Sequence, residues 1–226
     1  MPLLAWSLRR GSTATGSKWD TVTGMAIQVH DYHSELTNIQ VQPQIRSRFR
    51  RVELGPVPPV HSHDLGGETF LVMDGQIEFT VAGDHVVCER GQSIYVPPRT
   101  THAVRAVGDT PGVIYLSVSP HVEPTHTLYA ADGERLPPRY GTWRAAGGGE
   151  PNSEVPTAAL ANRYSAAART LAELAQANVE RATSAETELD AVKSTVDGMW
   201  ETLRPLLQQV EELERTWNDL ALRAAD

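Results

Sequence analysis

The sequence predicts an all-β domain followed by an all-α C-terminal region. Eight short apolar runs lie between residues 39 and 129, separated by tight-turn pairs such as Asp74-Gly75, a pattern typical of a β-sandwich or barrel. After Thr157 the chain is dominated by Ala, Leu, Glu, Arg and Gln, with apolar residues at alternating steps of three and four, as in packed helices. The predicted strands are 48–54, 68–73, 76–81, 85–88, 93–96, 103–107, 113–119 and 125–129.

Composition and charge restrict the partners that the chain can have. It has 226 residues, of which 40% are hydrophobic, enough for a sizeable core. With 20 basic and 28 acidic residues the formal net charge is -8, so we expect no binding to nucleic acid or to an anionic membrane surface. No apolar run has the length of a membrane span. The lone Cys88 suits a reducing compartment, and we expect a cytoplasmic protein.

The first 24 residues are rich in Gly, Ser and Thr and show neither a strand period nor a helix period. This predicts a flexible N-terminal arm at 1–24. A more patterned sequence begins at Met25, so a start of the protein at that residue stays open. Docking of the arm onto a partner through Trp6 and Trp19 is the other alternative.

Two histidines and a glutamate in residues 55–75 have a spacing that suits a metal ion. His61 and His63 are two residues apart, so on a strand both imidazoles point to one face. A turn-prone gap follows, and Glu68 then opens a strand-like run that can bring its carboxylate back to the imidazoles. His102, after a second strand-like run, is the candidate fourth ligand. Imidazole and carboxylate together suit iron, manganese, zinc, nickel or cobalt better than calcium.

These residues lie in two motifs that resemble those of the cupin family. The first motif is complete, and its matching positions are Gly55, His61, His63, Glu68 and Gly75. The second motif matches at Gly91, Pro97 and His102. It departs at Arg99, where the family usually has glycine, and at Ala106, where it often has asparagine. The resemblance implies a jelly-roll barrel, placed at 25–145, that binds one divalent transition metal through His61, His63, Glu68 and His102.

Strand alternation predicts which residues lie beside the metal. If Glu68 and His102 point into the barrel, every second residue after them does so as well. We therefore expect an apolar wall, with Arg99 or Arg105 at the barrel mouth as a candidate contact for an anionic substrate or as a solvated side chain. The expected pocket residues are Phe70, Val72, Val104 and Arg99.

Four aromatic or imidazole side chains near the barrel have an orientation that alternation does not determine. They are Tyr95, Tyr115, His126 and Tyr129. Each is a candidate hydrogen-bond partner or acid–base group of the site, although packing is the commoner role of an aromatic side chain in a β core.

The tail separates from the barrel at a Gly- and Pro-rich linker, placed at 146–156. The region 157–226 is predicted to be helical, with Thr157 as a cap and a heptad repeat of apolar residues from 185 to 220. A single long helix kinked at Pro205 is favoured over a hairpin that stops at Gly198 and restarts at Thr202. We expect these helices to join copies of the chain into a homo-oligomer, with docking of another protein as the alternative.

The predicted site could catalyse a reaction, because four protein ligands leave coordination positions of an octahedral metal open for water, oxygen or a substrate. From the cupin resemblance we expect an enzyme, a non-haem iron oxygenase of the dioxygenase type that acts on a small organic molecule. The second hypothesis is a sensor or interaction module that binds a metal or small ligand without catalysis. The third is an isomerase or lyase that uses manganese, zinc or nickel. No basic face or short helix-turn-helix supports a DNA-binding regulator.

Overall fold

The computed structural model describes residues 28–146, 154–185 and 192–225. The chain forms two compact units, Met1–His30 and Asp31–Asp226, and only the second lies largely within the described residues. The arm predicted at 1–24 and most of the linker predicted at 146–156 lie outside them.

Ten β-strands in the described part of the second unit form two five-stranded antiparallel sheets. They are β1 (Asn38–Gln42), β2 (Ile45–Val52), β3 (His61–Ser62), β4 (Gly67–Asp74), β5 (Gln76–Val81), β6 (Asp84–Glu89), β7 (Ser93–Val96), β8 (His102–Val107), β9 (Gly112–Ser119) and β10 (Thr127–Leu128). The strand order is β1-β2-β9-β4-β7 in one sheet and β10-β3-β8-β5-β6 in the other. This double sheet confirms the predicted jelly-roll barrel.

The barrel interior contains the side chains that alternate inward along each strand. On β4, Glu68 and Phe70 are buried whereas Thr69 between them is exposed, as the period of a strand requires. The buried residues that form the core are Val52, Phe70, Val72, Ile77, Phe79, Cys88, Val96, Val104, Ala106, Ile114 and Leu116. The hairpin from β4 to β5 turns at Gly75, whose φ of 75° lies in the region that glycine adopts without strain.

All eight predicted strands are present, with ends that shift by no more than three residues. The sequence pattern does not predict strands β1 and β3. β3 contains only His61 and Ser62, too few residues to show a period, and it exists because it pairs with β8 and β10. Its formation therefore follows from tertiary pairing and not from local sequence.

The C-terminal region contains two helices, α1 (Thr157–Ala185) and α2 (Val192–Ala221). Hydrogen bonds join Thr202 to Asn178 (3.2 Å) and Gln209 to the carbonyl of Ala167 (3.1 Å), so the helices are antiparallel. Neither helix, over the residues that the structure describes, combines the length and the apolar character needed to cross a lipid bilayer.

The prediction of one long kinked helix over this region is wrong. The helical segments end at Ala185 and restart at Val192, whereas α2 continues through both Gly198 and Pro205. The alternative, a helical hairpin, is correct in its two antiparallel helices. Its predicted break at Gly198 is wrong, because α2 continues through that residue. A heptad phase can continue across two separate helices, and one proline in a helix removes a single backbone hydrogen bond that packing can offset.

α2 faces α1 with polar side chains spaced by seven residues. Thr195 and Thr216 are buried, and Thr202 and Gln209 bond to α1. The predicted apolar heptad stripe begins one residue further on, which turns it by about 100° around the helix. Much of this stripe is exposed. Its exposed members Val192, Val196, Met199 and Leu203, together with the flanking Trp200 and Leu207, are referred to as the α2 apolar face.

The last turns of α2 dock onto the loop between β9 and β10. Trp217 Nε1 donates to the carbonyl of Glu123 (2.6 Å), and Asn218 Nδ2 donates to the carbonyl of His121 (2.7 Å). The backbone N–H of Glu123 donates to Asn218 Oδ1 (2.8 Å). The Glu123 carboxylate is buried and accepts hydrogen bonds from Trp143 Nε1 (2.5 Å) and from the N–H of Gly141 (3.0 Å). Hydrogen bonds from α2 and from Gly141 and Trp143 therefore hold this loop in place.

Replacing Trp217 by phenylalanine should weaken this docking. The change keeps an aromatic ring but leaves the carbonyl of Glu123 without its Trp217 donor. We expect the free energy of unfolding, measured by urea denaturation, to fall by about 1–2 kcal/mol. Tyr95→Phe, which also keeps an aromatic ring and removes one donor but lies at an exposed position of β7, should alter it by less than about 0.5 kcal/mol. Equal effects of the two substitutions would contradict the docking.

Candidate metal centre

Three histidines and one glutamate converge where the two sheets face each other. Glu68 lies on β4 of one sheet, and His61 and His102 lie opposite each other on the paired strands β3 and β8 of the other. His63 follows β3 directly. One ligand atom from each of the four residues lies within 4.8 Å of the others. The structure thus brings together all four predicted ligand residues.

The spacing of the ligand atoms suits a transition metal. Nε2 of His63 and Nε2 of His102 each lie 2.9 Å from the same oxygen of Glu68, Oε2. Adjacent ligands of an octahedral ion with bonds of about 2.1 Å would lie about 3.0 Å apart. The pair distances observed here therefore match neighbouring coordination positions.

The backbone determines which nitrogen of two histidines is available. Nδ1 of His63 lies in hydrogen-bond contact with the carbonyl of Thr125, and Nδ1 of His102 lies 3.0 Å from the carbonyl of Thr100. A carbonyl only accepts, so each Nδ1 carries a proton, and a neutral ring then presents an unprotonated Nε2. Two such nitrogens facing one carboxylate oxygen need either a second proton on each ring or a cation among them. The donor set fits a bound cation.

Burial and the neighbouring groups shift the pKa values of these residues in different directions. Burial, and then the neighbouring His102, lower the pKa of His61 to about 3, so this imidazole is neutral. Burial would raise the pKa of Glu68, but hydrogen bonds from His102 and His63 outweigh it and hold that pKa well below its ordinary value. Burial would lower the pKa of His102, but the bond to Glu68 raises it instead.

Comparison with known families agrees with this geometry. The family model for the cupin domain matches residues 49–119, a range that contains all four converging residues. The chain carries a cupin domain. An uncharacterised protein of Methanocaldococcus jannaschii is 27% identical over 60 residues, which are 26% of this chain and 48% of that protein. The chain thus spans about half the length of this curated relative.

Solved structures resemble the cupin domain at low identity. A double-stranded beta-helix protein of Klebsiella pneumoniae is 15% identical, with a TM-score of 0.41, over 46% of this chain and 97% of that one. A variant of salicylate 1,2-dioxygenase from Pseudoaminobacter salicylatoxidans is 21% identical, with a TM-score of 0.31, over 34% of this chain and 21% of that one. Likenesses of this size do not determine what the protein does.

Arg99, the departure from the second cupin motif, lies in a turn with a positive φ of 63°. Glycine adopts this conformation freely, whereas a residue with a Cβ pays roughly 1 kcal/mol. The turn is nevertheless formed, and the N–H of Arg99 donates to the carbonyl of His63 (2.7 Å). The arginine thus costs some stability and leaves the placement of His63 intact.

The expected pocket residues fall into two groups in the structure. Phe70 and Val104 line a cavity beside His61 and Glu68 in the cupin domain. Val72 lies further along β4 in the hydrophobic core, and Arg99 is an exposed residue of the turn after β7; neither lines this cavity.

His126 is a fourth histidine at the site, and sequence analysis left its orientation open. Its ring centroid lies 5.0 Å from that of His61 and 4.9 Å from that of His63. Nδ1 of His126 lies 2.8 Å from the Thr142 hydroxyl. Burial, together with the nearby His61, lowers its pKa to about 2. No local pattern could have shown this, because His126 reaches the site through a loop.

Metal affinity should fall as the pH is lowered. In the metal-free protein Glu68 raises the pKa of His102, so below that raised pKa a proton occupies the nitrogen that a metal needs. We expect the affinity for Zn²⁺, measured by competition with a chelator from pH 8 to pH 5.5, to fall by up to about tenfold per pH unit. His61 should not contribute to this fall because its pKa is about 3.

His102→Ala should lower the affinity at pH 8 and flatten its pH dependence. His85→Ala, the matched change at an exposed histidine of β6, should leave both unchanged. An affinity of the unsubstituted protein that does not vary between pH 8 and pH 5.5 would contradict the assignment.

Proposed function

We propose that the cupin domain binds one divalent transition metal through His61, His63, Glu68 and His102 and acts as an enzyme on a small organic molecule, specifically as a non-haem iron oxygenase. The observation that supports this most is a cavity of about 130 Å³ directly beside the four residues. His61 and Glu68 form part of its wall. A substrate in this cavity would lie next to the metal.

The dimensions of the cavity favour a small substrate. A cavity of about 150 Å³ accommodates benzene in an engineered protein, so a space of about 130 Å³ encloses roughly six non-hydrogen atoms of a ligand. Phe70 and Val104 give it an apolar wall, which excludes water from one side of the substrate.

Each protein group has a separate part in this function. The carbonyls of Thr125 and Thr100 hold the rings of His63 and His102 so that Nε2 of each points inward. Glu68 supplies the anionic ligand, and its burial keeps it away from competing water. Iron bound by these groups would supply a redox centre with open positions for oxygen and substrate. Manganese, zinc or nickel at the same residues would favour an isomerase or lyase.

Reconstitution with Fe(II) without oxygen tests the proposed activity. We expect the loaded protein to bind nitric oxide, an oxygen surrogate, with a spectrum that changes when a small organic molecule fills the cavity. Oxygen uptake should accompany consumption of one member of a panel of phenols, 2-hydroxy acids, 2-keto acids and amino acids. Glu68→Gln should reduce turnover by at least about 100-fold while retaining the fold. Glu134→Gln, a matched change at an exposed residue, should have no effect.

The same panel under nitrogen separates the alternatives. Substrate consumption with manganese, zinc or nickel, but none with iron and oxygen, would replace the oxygenase by an isomerase or lyase. No consumption under any condition, together with a ligand-induced change in oligomeric state, would favour the sensor module.

We also propose that the helices join copies of the chain through the α2 apolar face. The support is the exposure of residues such as Val196 (56%) and Trp200 (48%) along one side of α2, away from α1. Exposed apolar side chains in a continuous patch are uncommon unless something covers them. A second copy presents the same face, so two copies can cover each other around a twofold axis.

Charged substitutions on this face should reduce the oligomeric mass. Val196→Glu combined with Leu203→Glu would place two carboxylates in the apolar contact, where each must lose water without a partner. We expect a lower mass by light scattering and unchanged metal content. Thr170→Glu combined with Gln208→Glu, which adds the same charge at exposed polar positions of α1 and α2, should leave the mass unchanged. An unchanged mass in the first variant would contradict the proposal.

A further inference from the structure

Three arginines of β2 line up on the side of the strand that faces the barrel interior. Arg46, Arg48 and Arg50 alternate along the strand and precede Val52, which belongs to the core. The neighbouring strand β9 connects them to β4: Arg46 is opposite Val118, which is opposite Glu68, and Arg48 is opposite Leu116, which is opposite Phe70. The arginines therefore lie on the same sheet face as the glutamate of the metal centre.

Two of these guanidinium groups are buried without the partners that buried charges normally have. Arg46 is 0% exposed, and none of its three guanidinium nitrogens has a hydrogen-bond partner among the residues that the structure describes. Arg48 is 9% exposed, and its buried Nε has no partner in the same part of the chain. Buried polar groups in native proteins are nearly always paired, because an unpaired one costs several kcal/mol of desolvation.

The unpaired charge borders the cavity beside the metal centre. Arg48 and Arg50 line this cavity together with His61, Glu68, Phe70 and Val104. Two guanidinium groups thus face a space to which the protein contributes one carboxylate, Glu68, and that carboxylate is occupied by His63 and His102. A divalent metal at these ligands would add further positive charge. In the lining, Arg48 and Arg50 carry two positive charges against the one negative charge of Glu68.

We propose that the ligand of this cavity is a small carboxylate whose carboxylate group pairs with Arg48 and Arg50 while its apolar remainder lies against Phe70 and Val104 beside the metal ligands. The inference rests on the proposed function, because it names the substrate class of the same cavity. The planar guanidinium group matches the two oxygens of a carboxylate. Arg46, deeper along the same row, adds to the positive potential without lining the cavity.

The mutual repulsion of the arginines supports a role in binding. Burial, and then the like charges of Arg46 and Arg50, lower the pKa of Arg48 to about 10, against a smaller opposite effect of Glu68. A purely structural set of buried arginines would be expected to have carboxylates in contact with it. In this protein an anion that enters the cavity would offset the repulsion among the arginines. Charged groups that are unfavourable in the ligand-free protein and favourable with ligand are typical of functional sites.

Binding to the zinc-loaded full-length protein tests the inference without any turnover. The probes are benzoate and succinate, their neutral amides benzamide and succinamide, and inorganic phosphate, each titrated by calorimetry. We expect each carboxylate to bind at least about tenfold more tightly than its amide. Arg48→Met should weaken carboxylate binding by about tenfold or more, and Arg48→Lys should restore part of it.

The variants also separate binding from structure. Arg48→Met should raise the melting temperature of the ligand-free protein, because it removes a buried and repelled charge; an arginine with a structural role would lower it on substitution. Arg51→Met is the matched control, since Arg51 is exposed on the other face of β2 and bonds Glu53 (2.8 Å). It should leave carboxylate affinity unchanged.

Three results would overturn the inference. They are equal affinities for carboxylate and amide, normal carboxylate binding by Arg48→Met, and tighter binding of phosphate than of either carboxylate. Failure of the oxygenase proposal looks different: carboxylates would bind as expected to the zinc form, but no oxygen would be consumed by the iron form.

Discussion

The alternation of side chains along two strands places both the hydrophobic core and the candidate metal centre inside one barrel. On β4 and β8 the first inward residue is polar, Glu68 or His102, and the next is apolar, Phe70 or Val104. The polar members meet at one end of the sheets and the apolar members continue into the core. Because the period of a strand is two, a slip of one residue in any of these strands would remove a ligand from the site and expose core residues together. The fold and the site thus share a single register.

The loop from His121 to His126 connects the helical region to the candidate metal centre. At one end Trp217 and Asn218 of α2 bond to the backbone of residues 121 and 123. At the other end the carbonyl of Thr125 orients the ring of His63, and the His126 ring packs against His61 and His63. One residue, Pro124, lies between Glu123 and Thr125, the nearest members of the two sets of contacts. The helices therefore contribute to the position of the ligands through hydrogen bonds, although they contain no ligand themselves.

The site contains two sets of buried charges, of which one is paired within the protein and the other is not. Glu68 is paired by His63 and His102, so its burial is compensated within the protein. Arg46 and Arg48 are not compensated in this way within the described residues. The basic run from Arg46 to Arg51 resembles an exposed charged strand, and only its pairing with β9 shows that alternate members point inward. For this reason the sequence pattern predicted an anion contact at Arg99 or Arg105 and did not indicate Arg48.

The sequence by itself determined the residues with metal-ligating chemistry, the strand pattern and the helical character of the tail, because these depend on spacing and period along the chain. His61, His63, Glu68 and His102 could be predicted in this way. The tertiary structure decided that His126 joins them, that Arg48 faces the cavity, and that α2 turns polar residues toward α1. Those features arise from pairing between segments distant in sequence. Such pairing depends on cross-strand register and helix docking, for which the local pattern carries little information.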